Sequence, residues 1–540
     1  MTWRCSDSKN MNNKLHGEDR IEERRCALQT ELDSQKTPTA RNKLGQFATP
    51  TQLARDVLSY GLNLLPKGES IRFLDPAIGT GSFYSALRAS CGQRLVTWAR
   101  GFEIDPHYGQ PARELWQDMP LDITMGDFTQ QQPPANDAEK ANVLICNPPY
   151  VRHHHLSGID KVRLHKVAHS AANIELSGLA GLYCYFMALS HRWLSEGGIA
   201  GWLIPSEFMD VNYGKALKAY LLKEVTLLHI HRFDPNDVQF DDALVSSAVV
   251  WFKKQKPPAL HEVTFSYGGT MQKPALVKSI STRDLEQTEK WTRFPKQNVE
   301  AKHEGYRLGD LFIIKRGVAT GNNKFFILEE ERARTLNIPQ NFLRPILPSS
   351  RYVKDDEIRA DSDGVPLLDK RLFLLDCDLS EEEVQRQYPD LWSYLQSGLK
   401  DVAPGYLCQS RRYWYAQERR AAAPIVCTYI GRSDHDGKPF RFLLNRSKAT
   451  ATNVYLMLYP TPLLAAQLQQ NPEALRSLWR ALNSISKETL LGNGRVYGGG
   501  MHKLEPKELA NVPADELAAL VGLGHKRYVK QIEIEEAIVD

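Results

Sequence analysis

The sequence lacks several features that would assign it to a specialised class of protein. No stretch of its 540 residues approaches the roughly 20 consecutive apolar residues that a membrane-spanning helix needs. The eight cysteines include no C-x-x-C pair, which argues against both a disulfide framework and a zinc ribbon. The amino-terminal stretch is polar and mixed in charge, so no secretory signal is expected. These absences predict an intracellular, cytoplasmic protein.

No charge of one sign dominates, because 68 Lys and Arg against 64 Asp and Glu give a net charge of only +4. Hydrophobic residues make up 42% of the chain, which is enough to offset the entropy of ordering and excludes a largely disordered protein. The length exceeds what one core usually organises, so at least two domains are expected. Residues 401–500 carry 13 Lys and Arg against 6 Asp and Glu, a basic region compatible with a polyanionic partner.

Short apolar runs alternate with helical patterns between residues 45 and 252, which predicts βαβ units on a parallel sheet and an α/β fold. After the segment KKQKPP at 253–258 the apolar runs shorten and Pro and Gly become frequent. This change predicts a second, mixed α+β domain. The predicted division is a polar tail or helix at 1–43, a first domain at 44–258 and a second at 259–540. The predicted strands are 71–74, 95–98, 143–146, 199–204, 227–233 and 245–252.

Two motifs at predicted strand ends suit a nucleotide cofactor. Asp75 ends one strand and precedes a turn containing Gly79 and Gly81. Glycines there let the backbone approach a ligand closely, and the start of the following helix offers free N–H groups. Glu103 ends the next strand, 22 residues beyond Gly81, where an acid can accept the hydroxyls of a ribose.

A third motif, Gly126-Asp127-Phe128, follows the next apolar step. Its carboxylate can accept a hydrogen bond from the exocyclic amine of an adenine, and its ring can cover one face of the base. Each motif alone is more often an ordinary turn, but three in order predict a bound adenosine compound. That compound is either a nicotinamide dinucleotide or S-adenosylmethionine.

The segment Asn147-Pro148-Pro149-Tyr150 decides between these cofactors. It follows the apolar run at 143–146, and its two prolines stiffen the chain and remove two N–H donors. The Asn147 side-chain oxygen and the Pro148 carbonyl remain as paired acceptors for a planar amine. Tyr150 can stack on the ring that bears the amine. Holding such a nitrogen beside a sulfonium methyl group is sufficient for direct transfer, so the segment predicts a methyltransferase.

The ordered motifs resemble the N6-adenine DNA methyltransferases of restriction–modification systems, specifically the γ class. Gly45-Gln-Phe-Ala-Thr49-Pro50 looks like that family's amino-terminal cofactor segment, and the resemblance covers roughly residues 41–510. It implies a Rossmann-like methyltransferase sheet at 44–258 and a target-recognition domain at 259–540. The role of residues 1–43 is not explained by it.

The resemblance implies roles for individual residues. Thr49 and Pro50 would lie near the methionine portion of S-adenosylmethionine, while Asn147, Pro148 and Tyr150 would hold an adenine flipped out of double-stranded DNA. The full cofactor set is Thr49, Pro50, Asp75, Ala77, Gly79, Gly81, Glu103, Ile104, Asp127 and Phe128. The catalytic set is Asn147, Pro148, Pro149, Tyr150 and Phe240. Phe240 would face Tyr150 across the base, although such an aromatic taken alone is more often part of a core or loop.

Two later segments are candidates for contacts with DNA. The first resembles the opening of a target-recognition domain and combines cations with hydroxyl and amide groups that suit phosphates, although a simple hairpin would look similar. The second interleaves arginines with aromatics, which suits bases or phosphates but also a packed aromatic ridge. The residues concerned are Lys315, Arg316, Thr320, Asn322 and Lys324 in the first and Arg411 and Arg412 in the second.

Alternatives remain open at the level of the sequence. The same N-P-P-Y motif serves methyltransferases that act on a glutamine amide or an RNA guanine, and a non-catalytic DNA specificity module would share part of the pattern. The adjacent His153, His154 and His155 lack the spacing of a metal site, so no metal is predicted. The expected partners are double-stranded DNA and a restriction endonuclease on a separate chain, with the protein itself a monomer. Association with the nucleoid would follow from DNA binding.

Overall fold

The computed structural model describes residues 3–4, 11–234, 246–295, 305–432, 439–497 and 501–524. It divides the chain into two compact units. The first unit comprises Met1–Glu300 with Tyr497–Gly499, and the second comprises Ala301–Val496 with Gly500–Asp540.

A ten-stranded mixed sheet forms the centre of the first unit. Its strands are β1 (Trp3–Arg4), β2 (Ile71–Asp75), β3 (Leu95–Glu103), β4 (Asp122–Met125), β5 (Ala141–Cys146), β6 (Leu194–Pro205), β7 (Thr226–Arg232), β8 (Ser247–Lys253), β9 (Glu262–Gly269) and β10 (Pro274–Ser281). The order is β1-β3-β2-β5-β6-β8-β7-β9-β10, with β4 also paired to β3. Strands β2 to β6 run parallel, whereas β8 is antiparallel to both β6 and β7. The predicted α/β fold with a Rossmann-like sheet is confirmed.

Helices cover the two faces of this sheet. They are α1 (Met11–Ser34), α2 (Pro38–Leu44), α3 (Thr51–Leu64), α4 (Ser82–Ser90), α5 (Pro106–Trp116), α6 (Gly158–Ala172), α7 (Leu182–Ser190), α8 (Gly214–Lys223) and α9 (Thr282–Gln287). Successive residues of a strand enter opposite cores, as Phe73 and Leu74 of β2 do. Helix α3 approaches the sheet closely at Gly61, where an added Cβ would lie only 2.1 Å from the ring of Trp251. The absence of a side chain at Gly61 therefore permits this packing.

The sheet extends further along the sequence than expected. Strands β9 and β10 follow the break at 253–258 and pair with β7 and with each other, so they belong to the first unit. The structural division therefore falls at residue 300 rather than 258. The proline-rich break is a connection between β8 and β9 because β9 returns to the same sheet. The local amino-acid composition does not indicate this pairing, because the paired strands are separated in the sequence.

The second unit is a mixed α+β structure with sheets of five, four and three strands, ordered β11-β20-β16-β18-β14, β12-β15-β13-β19 and β17-β22-β21. The strands are β11 (Phe312–Arg316), β12 (Ile327–Glu329), β13 (Leu343–Leu347), β14 (Glu357–Ile358), β15 (Leu372–Leu375), β16 (Ile425–Thr428), β17 (Ile430–Arg432), β18 (Phe442–Asn445), β19 (Thr450–Ala451), β20 (Tyr455–Pro460), β21 (Arg495–Tyr497) and β22 (Met501–Lys503). The helices are α10 (Leu308–Leu311), α11 (Asn323–Phe326), α12 (Glu330–Thr335), α13 (Glu381–Gln387), α14 (Pro389–Gln396), α15 (Tyr406–Gln409), α16 (Pro462–Gln470), α17 (Ala474–Ser484), α18 (Lys487–Asn493), α19 (Pro506–Ala510) and α20 (Asp515–Leu520).

Candidate active site

The carboxyl ends of neighbouring parallel strands bring three of the predicted polar residues to one edge of the first sheet. Asp75 is the last residue of β2, Glu103 is the last of β3, and Asn147 directly follows β5. Strands β3, β2 and β5 are adjacent and parallel. Ligands of open α/β sheets bind at this edge, so the sheet topology itself gathers these side chains.

Asp75 and Glu103 are buried carboxylates, with exposed fractions of 1% and 9%. Burial raises the pKa of Asp75 to about 8, and the nearby charge of Glu103 adds to the rise. Burial also raises the pKa of Glu103. Neither carboxylate forms an ion pair with the part of the chain that the structure describes. Buried acids without a cation are costly, and a positively charged ligand would offset that cost.

The glycine turn connects these two carboxylates. Gly79 and Gly81 both adopt the left-handed region, with φ of 54° and 93°, where a side chain is disfavoured. The Gly79 N–H donates to Glu103 Oε2 at 3.0 Å, and a side chain added at Gly79 would meet no atom within 4 Å. Open space above a glycine backbone beside two buried acids suits a ligand that brings a positive charge and hydrogen-bond donors. The described residues therefore fit a cationic adenosine cofactor.

Asn147 has an oriented side-chain amide. Its Nδ2 donates to the Phe47 carbonyl at 2.9 Å and to Thr49 Oγ1 at 3.1 Å. Both amide protons are thereby used, so Oδ1 is directed away from this segment. That oxygen is buried and has no hydrogen-bond partner among the described residues. A buried acceptor without a donor costs about 1–3 kcal/mol, which a ligand N–H can recover.

The remainder of the corner is rigid. The Tyr150 hydroxyl donates to the Leu203 carbonyl at 3.0 Å, and the Tyr150 N–H donates to the Gly45 carbonyl at 3.1 Å. The rings of Tyr150 and Phe47 have centroids 5.5 Å apart. Pro148 is buried and Pro149 is half-buried. Tyr150 is thus fixed at both its backbone and its hydroxyl, although stacking on a base stays a prediction.

The predicted adenine site is less open than its neighbours. Asp127 Oδ1 accepts from the Thr129 N–H and hydroxyl, both at 2.8 Å, and Asp127 Oδ2 accepts from Gln130. Phe128 is 2% exposed and packs on core aromatics that include Trp193. Asp127 therefore begins a short turn that buries Phe128. The adenine contacts of Asp127 and Phe128 stay predictions. Ile104, which follows Glu103 in the chain, is exposed, and its contact with the cofactor also stays a prediction.

An amino-terminal helix holds the glycine turn, a feature that the sequence did not reveal. Arg25 of α1 is buried and forms an ion pair with Glu22 at 2.6 Å. Its Nη1 also donates to Thr80 Oγ1 at 3.1 Å, and the Thr80 hydroxyl donates to Gln29 at 2.7 Å. Burial would raise the pKa of Glu22, but the hydrogen bonds and charge of Arg25 outweigh it and hold that pKa at about 2.

The loop after β3 is held by the same region of the chain. Asp105 accepts from Lys36 and, at 2.7 Å, from Gln46. The Tyr108 hydroxyl donates to Asp33 at 2.8 Å. Residues between 22 and 36 therefore support the loops at the edge of the sheet. An i,i+3 Glu–Arg pair was visible in the sequence, but such pairs are usually solvated and gave no sign of burial.

The remaining residues of the predicted site differ in their surroundings. Pro50 is exposed at the start of α3, and Ala77 is half-buried in the turn after β2. Thr49 is buried against Asn147, so a contact with the cofactor stays a prediction. Phe240 lies outside the described residues.

The candidate DNA contacts of the second unit are of two kinds. Thr320, Asn322 and Arg411 stabilise the loop before α11. Thr320 bonds to Asn323 at 2.5 Å, Asn322 caps α11, and Arg411, from a distant part of the chain, donates to the Ala319 and Thr320 carbonyls at 2.8 and 3.0 Å. The exposed candidates are Lys315, Arg316, Lys324 and Arg412. The Arg316 guanidinium lies 4.2 Å from the ring centroid of Tyr429.

The described residues contain no group of three or more His, Cys, Asp or Glu side chains arranged to hold a metal ion. Within those same ranges no helix combines the length and apolarity that crossing a bilayer demands.

Two family models match the chain. The model of the Eco57I restriction-modification methylase matches residues 86–239, and the model of the Type II methyltransferase M.Eco57I C-terminal domain matches residues 291–538. The first match includes Glu103, Asp127 and the corner at Asn147. The second covers most of the second unit.

Individual relatives agree with these models. The Type II methyltransferase M.AccI of Acinetobacter calcoaceticus is 27% identical over 488 residues, covering 87% of this chain and 85% of that protein. M.XamI of Xanthomonas campestris pv. amaranthicola is 28% identical over 488 residues, covering 88% and 86%. The solved structure of the Type IIL restriction-modification enzyme MmeI in complex with DNA has a TM-score of 0.52 at 12% identity, covering 88% of this chain and 73% of that one. At this identity the likeness shows the fold alone.

Proposed function

The chain belongs to the restriction–modification methylases, and from that premise we propose that it methylates the N6 amine of an adenine turned out of double-stranded DNA. Its cofactor is S-adenosylmethionine. The modification would protect DNA from a restriction endonuclease that acts as a separate protein. The N6 amine of a paired adenine is engaged inside the duplex, so the base must leave the stack at a cost of a few kcal/mol.

The observation that carries this proposal is the buried Oδ1 of Asn147. It has no partner among the described residues, while the amide nitrogen of the same side chain is fully engaged by Phe47 and Thr49. An exocyclic amine brings two N–H donors in one plane. One of them satisfies Oδ1, and the carbonyl of Pro148 is the acceptor for the other.

These residues favour transfer by position and polarisation. Accepting both protons of the amine directs its lone pair out of the ring plane, and the stiff prolines keep the two acceptors in place. Tyr150, fixed through its hydroxyl to Leu203, offers an aromatic face to the base. When bound, S-adenosylmethionine supplies an electrophilic methyl group on a sulfonium. The proton that the methylated amine loses passes to water.

The cofactor pocket is proposed to lie beside this corner. Asp75 would hold the ammonium group of the amino-acid portion, and Glu103 would accept the ribose hydroxyls. What supports the assignment is that both acids are buried at adjacent strand ends with raised pKa values. The carboxylate of Glu103 is fixed by two backbone donors, the Gly79 N–H to Oε2 at 3.0 Å and the Asp105 N–H to Oε1 at 2.9 Å.

The second unit is proposed to recognise the DNA sequence. Its support is the match of residues 291–538 to the C-terminal domain model together with the exposed cations Lys315, Lys324 and Arg412. Exposed cations that form no ion pair with the described residues can contact phosphates or base edges.

Replacing Asn147 by alanine tests the central assignment. Asn147→Ala removes the acceptor, so methyl transfer should fall by at least about 1000-fold, of the order seen when a key polar group of an active site is deleted. Binding of S-adenosylmethionine should remain within about threefold. The measurement is the amount of N6-methyladenine in digested DNA by mass spectrometry, with calorimetry for the cofactor.

Asn63→Ala is the matched control, because Asn63 is exposed on α3 and should leave transfer unchanged. Detection of N4-methylcytosine instead of N6-methyladenine would contradict the base assignment. Methylation of a protein glutamine or an RNA guanine, with DNA unmodified, would contradict the proposed substrate.

A further inference from the structure

Cationic and imidazole side chains are concentrated directly after the Asn147 corner. Residues 151–173 contain four Lys and Arg and five His, against the single acid Asp160. The three histidines at 153–155 form an exposed or half-exposed turn. The mechanism proposed above uses none of these side chains.

A second segment adds to the same surface. The Tyr150 N–H donates to the Gly45 carbonyl at 3.1 Å, so the two stretches of chain run together at the corner. Lys43 lies two residues before Gly45 and Arg152 lies two residues after Tyr150. These two cations therefore lie on the two chain segments that enclose the corner.

The histidines lie close together, since the ring centroids of His153 and His154 are 5.4 Å apart and those of His154 and His155 are 4.1 Å apart, and the nearby cations act on them. Desolvation lowers the pKa of His155, and the charges of His154, Lys43 and Arg152 lower it further. The pKa of His153 is lowered in the same way, with charges from His154, Lys161 and Arg152. We call the residues Lys43, Arg152, His153, His154, His155 and Lys161 the corner patch.

The cations of the corner patch are not neutralised from within. Lys43 and Arg152 are exposed, and neither they nor Lys161 pair with an acid in the described ranges of the chain. The neighbouring acid, Asp160, lies instead 3.8 Å from Arg163, which also lies 3.6 Å from Asp127. Like charges held close together repel one another, so such a surface favours an anionic partner.

We propose that the corner patch binds the phosphodiester backbone of DNA beside the nucleotide whose base enters the corner. This inference rests on the proposed function. Phosphate contacts position a strand without reading its sequence. At this location they would hold the backbone on both sides of the extruded nucleotide and help to offset the cost of unstacking. The patch lies wholly in the first unit, so its contribution is separate from sequence recognition by the second.

The test is a triple variant, Lys43→Gln with Arg152→Gln and Lys161→Gln. Each lost phosphate contact reduces the slope of log affinity against log salt by about 0.9, so the slope should fall by roughly 2 to 3. The KM for DNA should rise roughly tenfold at moderate salt. Affinity for S-adenosylmethionine and the unfolding midpoint should not change, because Lys43 and Arg152 are exposed, Lys161 is half-exposed, and none of the three forms an ion pair with the described residues.

A control triple removes the same charge elsewhere on the first unit. Lys67→Gln, Lys273→Gln and Arg283→Gln alter three exposed cations, and the salt slope should change by less than about 0.5. Equal effects of the two triples, or an unchanged slope and KM in the corner variant, would overturn the inference. The inference would also be overturned if the corner variant lost binding to RNA while its binding to DNA stayed intact. A wild-type protein that leaves DNA unmethylated would instead refute the proposed function.

Discussion

The two units differ in how their predicted functional groups are satisfied. In the first unit, Asn147 Oδ1 has no described partner, and Asp75 and Glu103 are buried without a cation. In the second, Thr320 and Asn322 bond within the segment 320–325, and Arg411 bonds to the carbonyls of Ala319 and Thr320. Folding normally satisfies buried polar groups. At a strand edge, a buried acceptor without a donor or a buried acid without a cation indicates a ligand, whereas a group whose hydrogen bonds and charge are both compensated indicates a structural role.

This difference assigns the second unit's candidates to two roles. Arg411 closes a loop, so its removal should change stability. Its neighbour Arg412 is exposed, so its removal should change DNA binding. Adjacent arginines of one sequence motif thus make a direct test of the comparison, as does Asp75, a buried acid of the first unit that has no cation among the described residues.

Among the variants that test this comparison, the largest effect is expected for Asp75→Asn. The amide can still accept the Ala77 N–H, which lies 3.1 Å from Asp75 Oδ1, but it carries no charge for a cationic ligand. S-adenosylmethionine affinity should fall about 100-fold, or about 2.8 kcal/mol. The free energy of unfolding measured above pH 8 should stay equal or increase, because a buried charge is removed.

Calorimetry and denaturant unfolding measure the two quantities, and Asp118→Asn, at an exposed position, is the control. A destabilised Asp75→Asn protein with normal affinity would place Asp75 among the structural groups and break the comparison.

The next effect is a pH dependence of cofactor binding. The Asp75 pKa of about 8 means that the free protein holds a proton which a cationic ligand would displace. Affinity should therefore rise up to about tenfold per pH unit from pH 6 to 8 and then level. Asp75→Asn should remove this dependence, as titration calorimetry across pH would show. A flat profile in the wild-type protein would contradict the assigned role.

The same raised pKa affects the stability of the free protein in a definite direction. The folded pKa of about 8 lies above the ordinary value of 3.8, so the folded state retains a proton that the unfolded state releases. The stabilising contribution is complete below pH 3.8 and is lost as the pH rises through 8. Saturating cofactor should reverse this trend.

Much of the first unit could be predicted from sequence because its signals are local. Buried parallel strands are continuous apolar runs, and the acid or amide that ends each run falls at the sheet edge. The sequence therefore predicts that Asp75, Glu103 and Asn147 lie at one edge of the sheet. The parallel topology of the sheet brings the ends of these three strands to the same edge.

Other features depend on contacts that are distant in sequence. Arg25 reaches Thr80 across 55 positions, and Asn147 is oriented by Phe47 and Thr49 about 100 positions earlier. Strands β9 and β10 extend the sheet beyond the predicted boundary for the same reason. A sequence pattern specifies which residues are present but not which partner each side chain contacts. The sequence therefore does not distinguish the structural role of Arg411 from the exposed position of Arg412.

Arg411→Ala should have an intermediate effect and should act on stability. Two carbonyls, of Ala319 and Thr320, lose their donor, and the Phe326 ring loses a cation 5.8 Å from its centroid. The free energy of unfolding should fall by about 1–3 kcal/mol, measured in denaturant. Unchanged stability together with lost DNA binding would move Arg411 into the DNA-contacting group.

The smallest effect is expected for Arg412→Ala, and it should appear only in DNA binding. The side chain is exposed and lies 5.2 Å from the ring centroid of Tyr413, so unfolding should change by less than about 0.5 kcal/mol. If Arg412 contacts a phosphate, affinity should fall a few-fold for every sequence and the salt slope by about 0.9. If it contacts a base, discrimination should weaken at one position of the target. Arg480→Ala, at an exposed site on α17, should do neither, and an Arg412 variant indistinguishable from it would remove the DNA-facing half of the comparison.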